Sequence, residues 1–193
     1  MTGQLCDILL KMDCGRDGRD SELAQIRAAQ EGNAFALATL LEDQYAAVYR
    51  FLCKLTLDST WAADLSQECM IRAIDHFTAY DPDRAVLSTW LIAIAKNLWL
   101  DDCRRRKRKP AVSLEDADGE LGDFAAELAE KDAVLAAVGH LSPKLRAPVA
   151  LYYGQGYAYD EIAQILHVPV GTVKSRMARA LTRLRKELDD HAE

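Results

Sequence analysis

Apolar side chains recur at steps of three or four residues along most of this chain, and this spacing constrains the fold more than any other feature. One stripe runs through residues 34–55, and the same steps return over 60–77 and 87–106. Residues three and four apart share one face of a helix. No sustained two-residue alternation is present, and Gly (10) and Pro (5) are scarce, which disfavours a turn-rich β fold. The sequence therefore predicts an all-α fold.

Capping residues indicate where these helices begin. Gly32 follows a first predicted helix over 21–31, Asn33 can cap a long helix from Ala34, and Asp58 can cap the next. The side chains expected to face inward are Leu37, Leu40, Leu41, Tyr45, Val48, Phe51, Leu52 and Leu55, then Trp61, Leu65, Cys69, Ile74 and Phe77, then Leu87, Leu91, Ile94 and Leu98.

The C-terminal part of the chain carries a helix-turn-helix pattern. Residues 159–166 have one short apolar face, HVPV at 167–170 interrupts the spacing, and a longer helix follows. Such a second helix directs its polar face outward, where it can enter the major groove of DNA. The expected inner residues are Val173, Met177, Ala180, Leu181 and Leu184, and the outward ones are Lys174, Ser175, Arg176 and Arg179.

The helices that precede this pattern have less regular signals. Ser142 and Pro143 predict a helix start, with Ser142 as the cap and Pro143 as the first helical residue. Pro148 lies inside that helix and is expected to kink it or delay its start. Ala158 stands where a capping side chain would help the next helix. Asp123 is expected to cap a further helix before Ser142.

Charge is distributed unevenly along the chain. The net charge is −6, from 24 basic and 30 acidic residues. Residues 104–109 are six consecutive bases and 174–186 hold six more, which is half of all the bases, whereas 111–132 hold eight acids and one lysine. An acidic chain therefore presents two basic stretches of the kind that bind nucleic-acid phosphates.

The first basic stretch ends a helix that lies near several aromatic residues. Basic residues at a helix C-terminus complement its dipole, but six in a row exceed that need, so we expect phosphate contact. Aromatic rings nearby offer stacking surfaces for unpaired bases. These rings belong to Phe77, Tyr80, Trp90 and Trp99.

Two carboxylates and an amide share one face of the predicted third helix. Asp64 and Glu68 lie four residues apart, with Gln67 beside them. Like charges at this spacing cost a little stability, so a basic partner is indicated. A catalytic acid pair is the alternative, but no HExxH, GxxxxGK[ST] or GxSxG motif accompanies it. We therefore do not expect an enzyme.

Composition limits the remaining classes. No apolar run approaches the 18 residues of a membrane span, and the N-terminus lacks a signal peptide, so we expect a cytoplasmic protein. The five cysteines include no CxxC pair, so we expect no disulfide framework, metal or cofactor. Cys6 and Cys14 lie in an expected mobile tail over 1–20, where a redox or metal role stays open.

Together these segments resemble the extracytoplasmic-function (ECF) sigma factors, a group of the sigma-70 family of bacterial RNA polymerase. Four blocks occur in the order typical of the family: DLSQE at 64–68, WLIAIAKNLWLDDCRRRKR at 90–108, LSPKLR at 141–146 and YDEIAQILHVPVGTVKSRMARALTRLRKEL at 159–188. The resemblance implies a mobile tail (1–20), a region 2 domain (21–109), an acidic linker (110–131) and a region 4 helix-turn-helix domain (132–193).

The same resemblance implies a role for each motif. Asp64, Gln67 and Glu68 match the face that docks on core RNA polymerase. The residues matching the helix that meets the −10 element are Trp90, Lys96, Asn97, Arg104 and Arg105, with residues 78–88 as the loop that captures a flipped base. The residues matching the −35 reader are Thr172, Lys174, Ser175, Arg176, Arg179 and Arg183. Promoter DNA and an anti-sigma factor are the other implied partners.

Two other interpretations compete with this resemblance. One is a stand-alone helix-turn-helix regulator with a ligand-sensing N-terminal domain, which would bind duplex DNA tightly without polymerase. The other is an enzyme that uses Asp64 and Glu68.

Overall fold

The structure is a computed structural model that describes residues 19–108 and 132–190. Most of the predicted N-terminal tail, the acidic linker and the first part of the helix expected after Asp123 lie outside the described residues. Residues 19 and 20 are already helical, so the tail ends before residue 20, and the first helix starts earlier than the predicted residue 21.

The described residues are helical throughout and contain no strand, which confirms the all-α prediction. The helices are α1 (residues 19–30), α2 (Ala34–Thr56), α3 (Ser59–His76), α4 (Leu87–Arg108), α5 (Asp132–His140), α6 (Pro143–Gln155), α7 (Tyr159–Leu166) and α8 (Val170–Asp190), with a 3-10 turn over Phe77–Ala79 after α3. Helices α1–α4 form one unit and α5–α8 form the other.

The predicted caps of the first unit are confirmed. Asn33 Oδ1 accepts hydrogen bonds from the amides of Phe35 and Ala36, both at 3.1 Å. Asp58 Oδ1 accepts one from the amide of Trp61 at 2.8 Å. Each carboxylate or amide oxygen thus satisfies amides that have no partner within their own helix.

Most of the side chains expected to face inward are in the core, with two exceptions. Phe51, Leu52 and Leu55 are fully buried. Tyr45 and Ile74 were predicted to be inward, which is wrong, because they are 36% and 53% exposed. Both lie along a shallow apolar groove between α2 and α3, at the outer edge of the stripe that packs on the rest of the unit.

In the second unit two local expectations fail in part, and the missing cap at Ala158 is confirmed. Ser142 precedes α6 as predicted, but its side chain makes no capping bond. Pro148 does not delay the start of α6, which begins at Pro143 and continues through it. Ala158 cannot cap α7, and Glu161 compensates: its Oε2 accepts a hydrogen bond from the Ala158 amide at 2.8 Å.

The two units pack directly against each other. Arg146 of α6 donates from Nη1 to the carbonyl of Leu55 at 2.7 Å, and from Nη2 to the carbonyls of Gly139 and Leu141. Lys54 Nζ donates to the carbonyl of Gly154 at 2.7 Å. These contacts join the C-terminal end of α2 to the α5–α6 corner and the end of α6. We call this arrangement the closed arrangement.

Candidate nucleic-acid interface

The second helix of the helix-turn-helix presents one apolar and one polar face. His167 adopts a left-handed backbone conformation, with φ of 52°, that ends α7 and lets α8 begin three residues later. Val173, Met177 and Ala180 are buried against the unit. Leu181 was predicted to be inward, but it is 40% exposed, because it lies at the edge of that face.

The predicted −35 residues of α8 fall into two groups. Lys174, Ser175, Arg179 and Arg183 are exposed to solvent. Thr172 and Arg176 are only partly exposed. Arg176 lines a groove between the two units, where it faces α4.

The predicted −10 residues of α4 are also divided. Asn97 is exposed and Trp90 is half-buried. Arg104 and Arg105 are exposed but form ion pairs with Asp101 and Asp102, at 2.7 Å and 3.0 Å. These two acids neutralise part of the positive charge of the basic stretch.

Lys96 is the residue whose location differs most from the expectation of an exposed DNA contact. Only 3% of it is exposed. Burial lowers the pKa of its ammonium group; Asp101 acts against that shift and Arg104 adds to it. Lys96 lies at the groove between the units, so the closed arrangement keeps it from DNA.

Three of the four aromatic rings expected to stack on bases are unavailable. Phe77, Tyr80 and Trp99 are buried. Trp90 packs edge-on against Phe77, with ring centroids 6.1 Å apart, and lies 5.0 Å from Tyr80. The aromatic cluster therefore supports the loop after α3, and Trp90 is its only half-exposed member.

The carboxylate face of α3 is present as predicted. Asp64 and Gln67 are exposed, and Glu68 is partly exposed. Glu68 Oε1 accepts a hydrogen bond from Arg72 Nε at 3.0 Å. Arg72 lies one turn further along α3, and the spacing of four residues was the signal that could have predicted this pair.

A groove of about 370 Å³ between α4, α6 and α8 brings together residues from both basic stretches. Its lining residues are Lys96, Leu100, Cys103, Arg104, Lys107, Ser142, Pro143, Lys144, Ala147, Leu166, Val168 and Arg176. The sequence placed Lys107 in the first basic stretch but gave no sign of Lys144 or of the contact between the units, because no local pattern relates residues so far apart in the chain.

A helix-turn-helix unit and a second helical unit with a basic helix define a DNA-binding protein of two helical domains. Comparison with known families makes the class specific. Residues 40–109 match the family Sigma-70 region 2, and residues 131–184 match the family Sigma-70, region 4.

Curated relatives identify the group within that class. SigW of Bacillus subtilis, an ECF RNA polymerase sigma factor, is 31% identical over 182 residues, which cover 86% of this chain and 96% of SigW. SigM of Mycobacterium tuberculosis (strain H37Rv), with the same description, is 35% identical over 175 residues, which cover 90% of this chain and 87% of SigM. The chain belongs to the ECF sigma factors of RNA polymerase.

Solved structures agree on the fold. CnrH, in a complex with the cytosolic domain of CnrY, has a TM-score of 0.66 at 24% identity, covering 86% of this chain and 96% of CnrH. RpoE of Bartonella quintana, in a complex with the anti-sigma factor NepR, has a TM-score of 0.57 at 24% identity, covering 79% of this chain and 94% of RpoE.

Membership of this family settles the class of function. The protein is an alternative sigma factor, which binds core RNA polymerase and promoter DNA to initiate transcription. The stand-alone regulator is therefore set aside. Within the described part of the chain, no helix combines the length and hydrophobicity that a membrane span requires.

Proposed function

We propose that residues 21–109 act as the polymerase-docking and −10 domain, and residues 132–193 as the −35 domain. On this proposal Asp64, Gln67 and Glu68 dock on core polymerase. The −10 contacts come from Trp90, Lys96, Asn97, Arg104 and Arg105. The −35 contacts come from Thr172, Lys174, Ser175, Arg176, Arg179 and Arg183. No residue of the chain acts as a catalyst, and the protein works in the cytoplasm.

The exposed polar face of α8 is the observation that carries this proposal. It presents Lys174, Ser175 and Arg179 on a helix whose opposite face buries Val173, Met177 and Ala180. A rigid helix of this kind is suited to the major groove, where arginine reads guanine edges and lysine pairs with phosphates.

Promoter binding requires the two units to separate. Elements named −10 and −35 lie about 25 base pairs apart, which is about 85 Å along B-form DNA. Arg104 and Arg176 line one groove of about 370 Å³, whose width is far below that span. We propose that binding to core polymerase opens the closed arrangement, and that an anti-sigma factor keeps it inactive, as NepR is the partner in the RpoE structure.

Run-off transcription with purified core polymerase tests the function. Fragments from a promoter library are transcribed with core polymerase alone, with this protein alone and with both together. We expect promoter-selective transcripts only from the combination. Tight binding of the isolated protein to duplex DNA, without any promoter-selective transcript in the combination, would instead support a stand-alone regulator.

A pair of substitutions in α8 separates base reading from phosphate contact. Arg176 lies in the first turns of α8, where base edges are within reach, whereas Arg183 lies two turns later. We expect Arg176→Ala to weaken promoter binding by about 1–3 kcal/mol and to flatten the preference at one −35 position. Arg183→Ala should weaken all promoters equally and reduce the salt dependence by about one phosphate contact.

Holoenzyme binding to a series of −35 substitutions, at several salt concentrations, measures both effects. Arg27→Ala serves as the control, because Arg27 is exposed on α1. The orientation assigned to α8 is wrong if Arg183→Ala changes the base preference while Arg176→Ala weakens every promoter equally.

A further inference from the structure

Lys96 is a buried residue whose ammonium group reaches the groove between the units. It is 3% exposed, and no described residue pairs with its ammonium group through a hydrogen bond or an ion pair. Asp101 is the nearby acid that favours its charge, but Asp101 is already paired with Arg104 at 2.7 Å. An ammonium group that faces a groove and has no protein partner can bind an anion there.

The groove that Lys96 lines has the composition of an anion site. Four more cations line it, Arg104 and Lys107 from α4, Lys144 from α6 and Arg176 from α8, together with the hydroxyl of Ser142. No carboxylate is among the described residues that line it. Like charges that converge in this way repel one another unless an anion lies between them.

The shape of the groove limits which anion can enter. Its volume of about 370 Å³ lies within the range of about 300–1,000 Å³ that is typical of small-molecule sites. A groove of this volume, lined by residues of both units, is too small for a DNA duplex. Several cations around one cavity match an anion that carries more than one negative charge.

We propose that this groove binds a small polyphosphate, such as pyrophosphate or the phosphate chain of a nucleotide, and that the bound anion holds the two units together. Lys96 contacts the anion at the base of the groove, while Lys144 and Arg176 contact it from the second unit. The anion site itself does not depend on the proposed function. Competition between the anion and promoter DNA rests on the proposed function, because Lys96, Arg104 and Arg176 are proposed DNA contacts.

Calorimetric titration of the full-length protein with sodium pyrophosphate, at about 150 mM NaCl, tests the site directly. We expect one site and a rise in melting temperature at saturation. Lys96→Met should have two opposite effects. It removes a partly desolvated cation, so the melting temperature without ligand should rise, and it should weaken pyrophosphate binding at least about tenfold.

Lys144→Gln provides a second variant at an exposed position, where folding is not at risk. It should weaken binding about threefold to tenfold. Arg50→Gln is the matched control, because Arg50 is exposed on α2 and does not line the groove. It should leave the affinity for pyrophosphate unchanged.

Three results would overturn the proposal. One is equal pyrophosphate binding by the wild type, Lys96→Met and Lys144→Gln. Another is tighter binding of a glutamate-rich peptide than of pyrophosphate, which would assign the groove to an acidic protein. The third is a tenfold gain in pyrophosphate affinity when Glu115, Asp116 and Asp118 are replaced by their amides, which would show that the chain supplies its own anion. None of these depends on transcription.

Discussion

Reversing the charges of Asp64 and Glu68 to lysine is expected to lower the affinity for core polymerase by at least about hundredfold. A single exposed charge pair contributes only about 1 kcal/mol, but two reversals also replace attraction by repulsion from a basic partner. Asp64 is exposed, and Glu68 is partly exposed and paired with Arg72 at 3.0 Å. The measurement is a titration of labelled core polymerase with each variant.

The control for this prediction changes the net charge equally at other sites. Glu31→Lys with Asp189→Lys also reverses two exposed acids, one in the turn after α1 and one near the end of α8. We expect its affinity for core to stay within about twofold of wild type, because distant surface charges are screened. If the Asp64 and Glu68 variant binds core normally while its helicity is intact, the docking face lies elsewhere.

Replacing Arg146 with methionine is expected to open the closed arrangement. The arginine donates to the Leu55 carbonyl across the interface, and its guanidinium lies 6.0 Å from the ring centroid of Trp99. A hydrogen bond from a charged group contributes about 1.5–3 kcal/mol, so we expect about a thirtyfold shift of the equilibrium toward separated units. Fluorescence energy transfer between dyes on α1 and α8 measures it.

A second variant distinguishes opening from damage to the α5–α6 corner, where Arg146 also bonds Gly139 and Leu141. Lys54→Met removes the bond to Gly154 and should open the units by a smaller amount. Arg185→Met, exposed on α8, should not change the transfer efficiency. Unchanged efficiency in both interface variants would show that these two side chains do not hold the units together.

Local patterns predicted the helices of this protein well, and the reasons are physical. A cap such as Asn33 or Asp58 acts on amides two or three residues away, so its effect is visible in the sequence. The polar face of α8 was predictable for the same reason, because residues three and four apart share a surface. The prediction of burial was wrong at the edges of these faces. Tyr45, Ile74 and Leu181 continue an apolar stripe that the rest of the unit does not fully cover.

Contacts between the units could not be predicted from such patterns. Arg146 and Leu55 are 91 residues apart in the chain, and no residue near either of them in the sequence indicates that the two come into contact. Lys96 is a related case. Its resemblance to a DNA contact suggested exposure, but it is 3% exposed and lies at the groove between the units.

The convergence of cations in the groove also sets how the protein responds to salt. Without a bound anion, Lys107 and Lys144 repel each other across the groove, and this repulsion favours separation of the units. Rising ionic strength screens the repulsion and therefore favours the closed arrangement. The same ions displace basic side chains from DNA phosphates. On the proposed function we therefore expect salt to weaken promoter binding in two ways: at the DNA surface, and by favouring the closed arrangement, which is too short to span the two promoter elements.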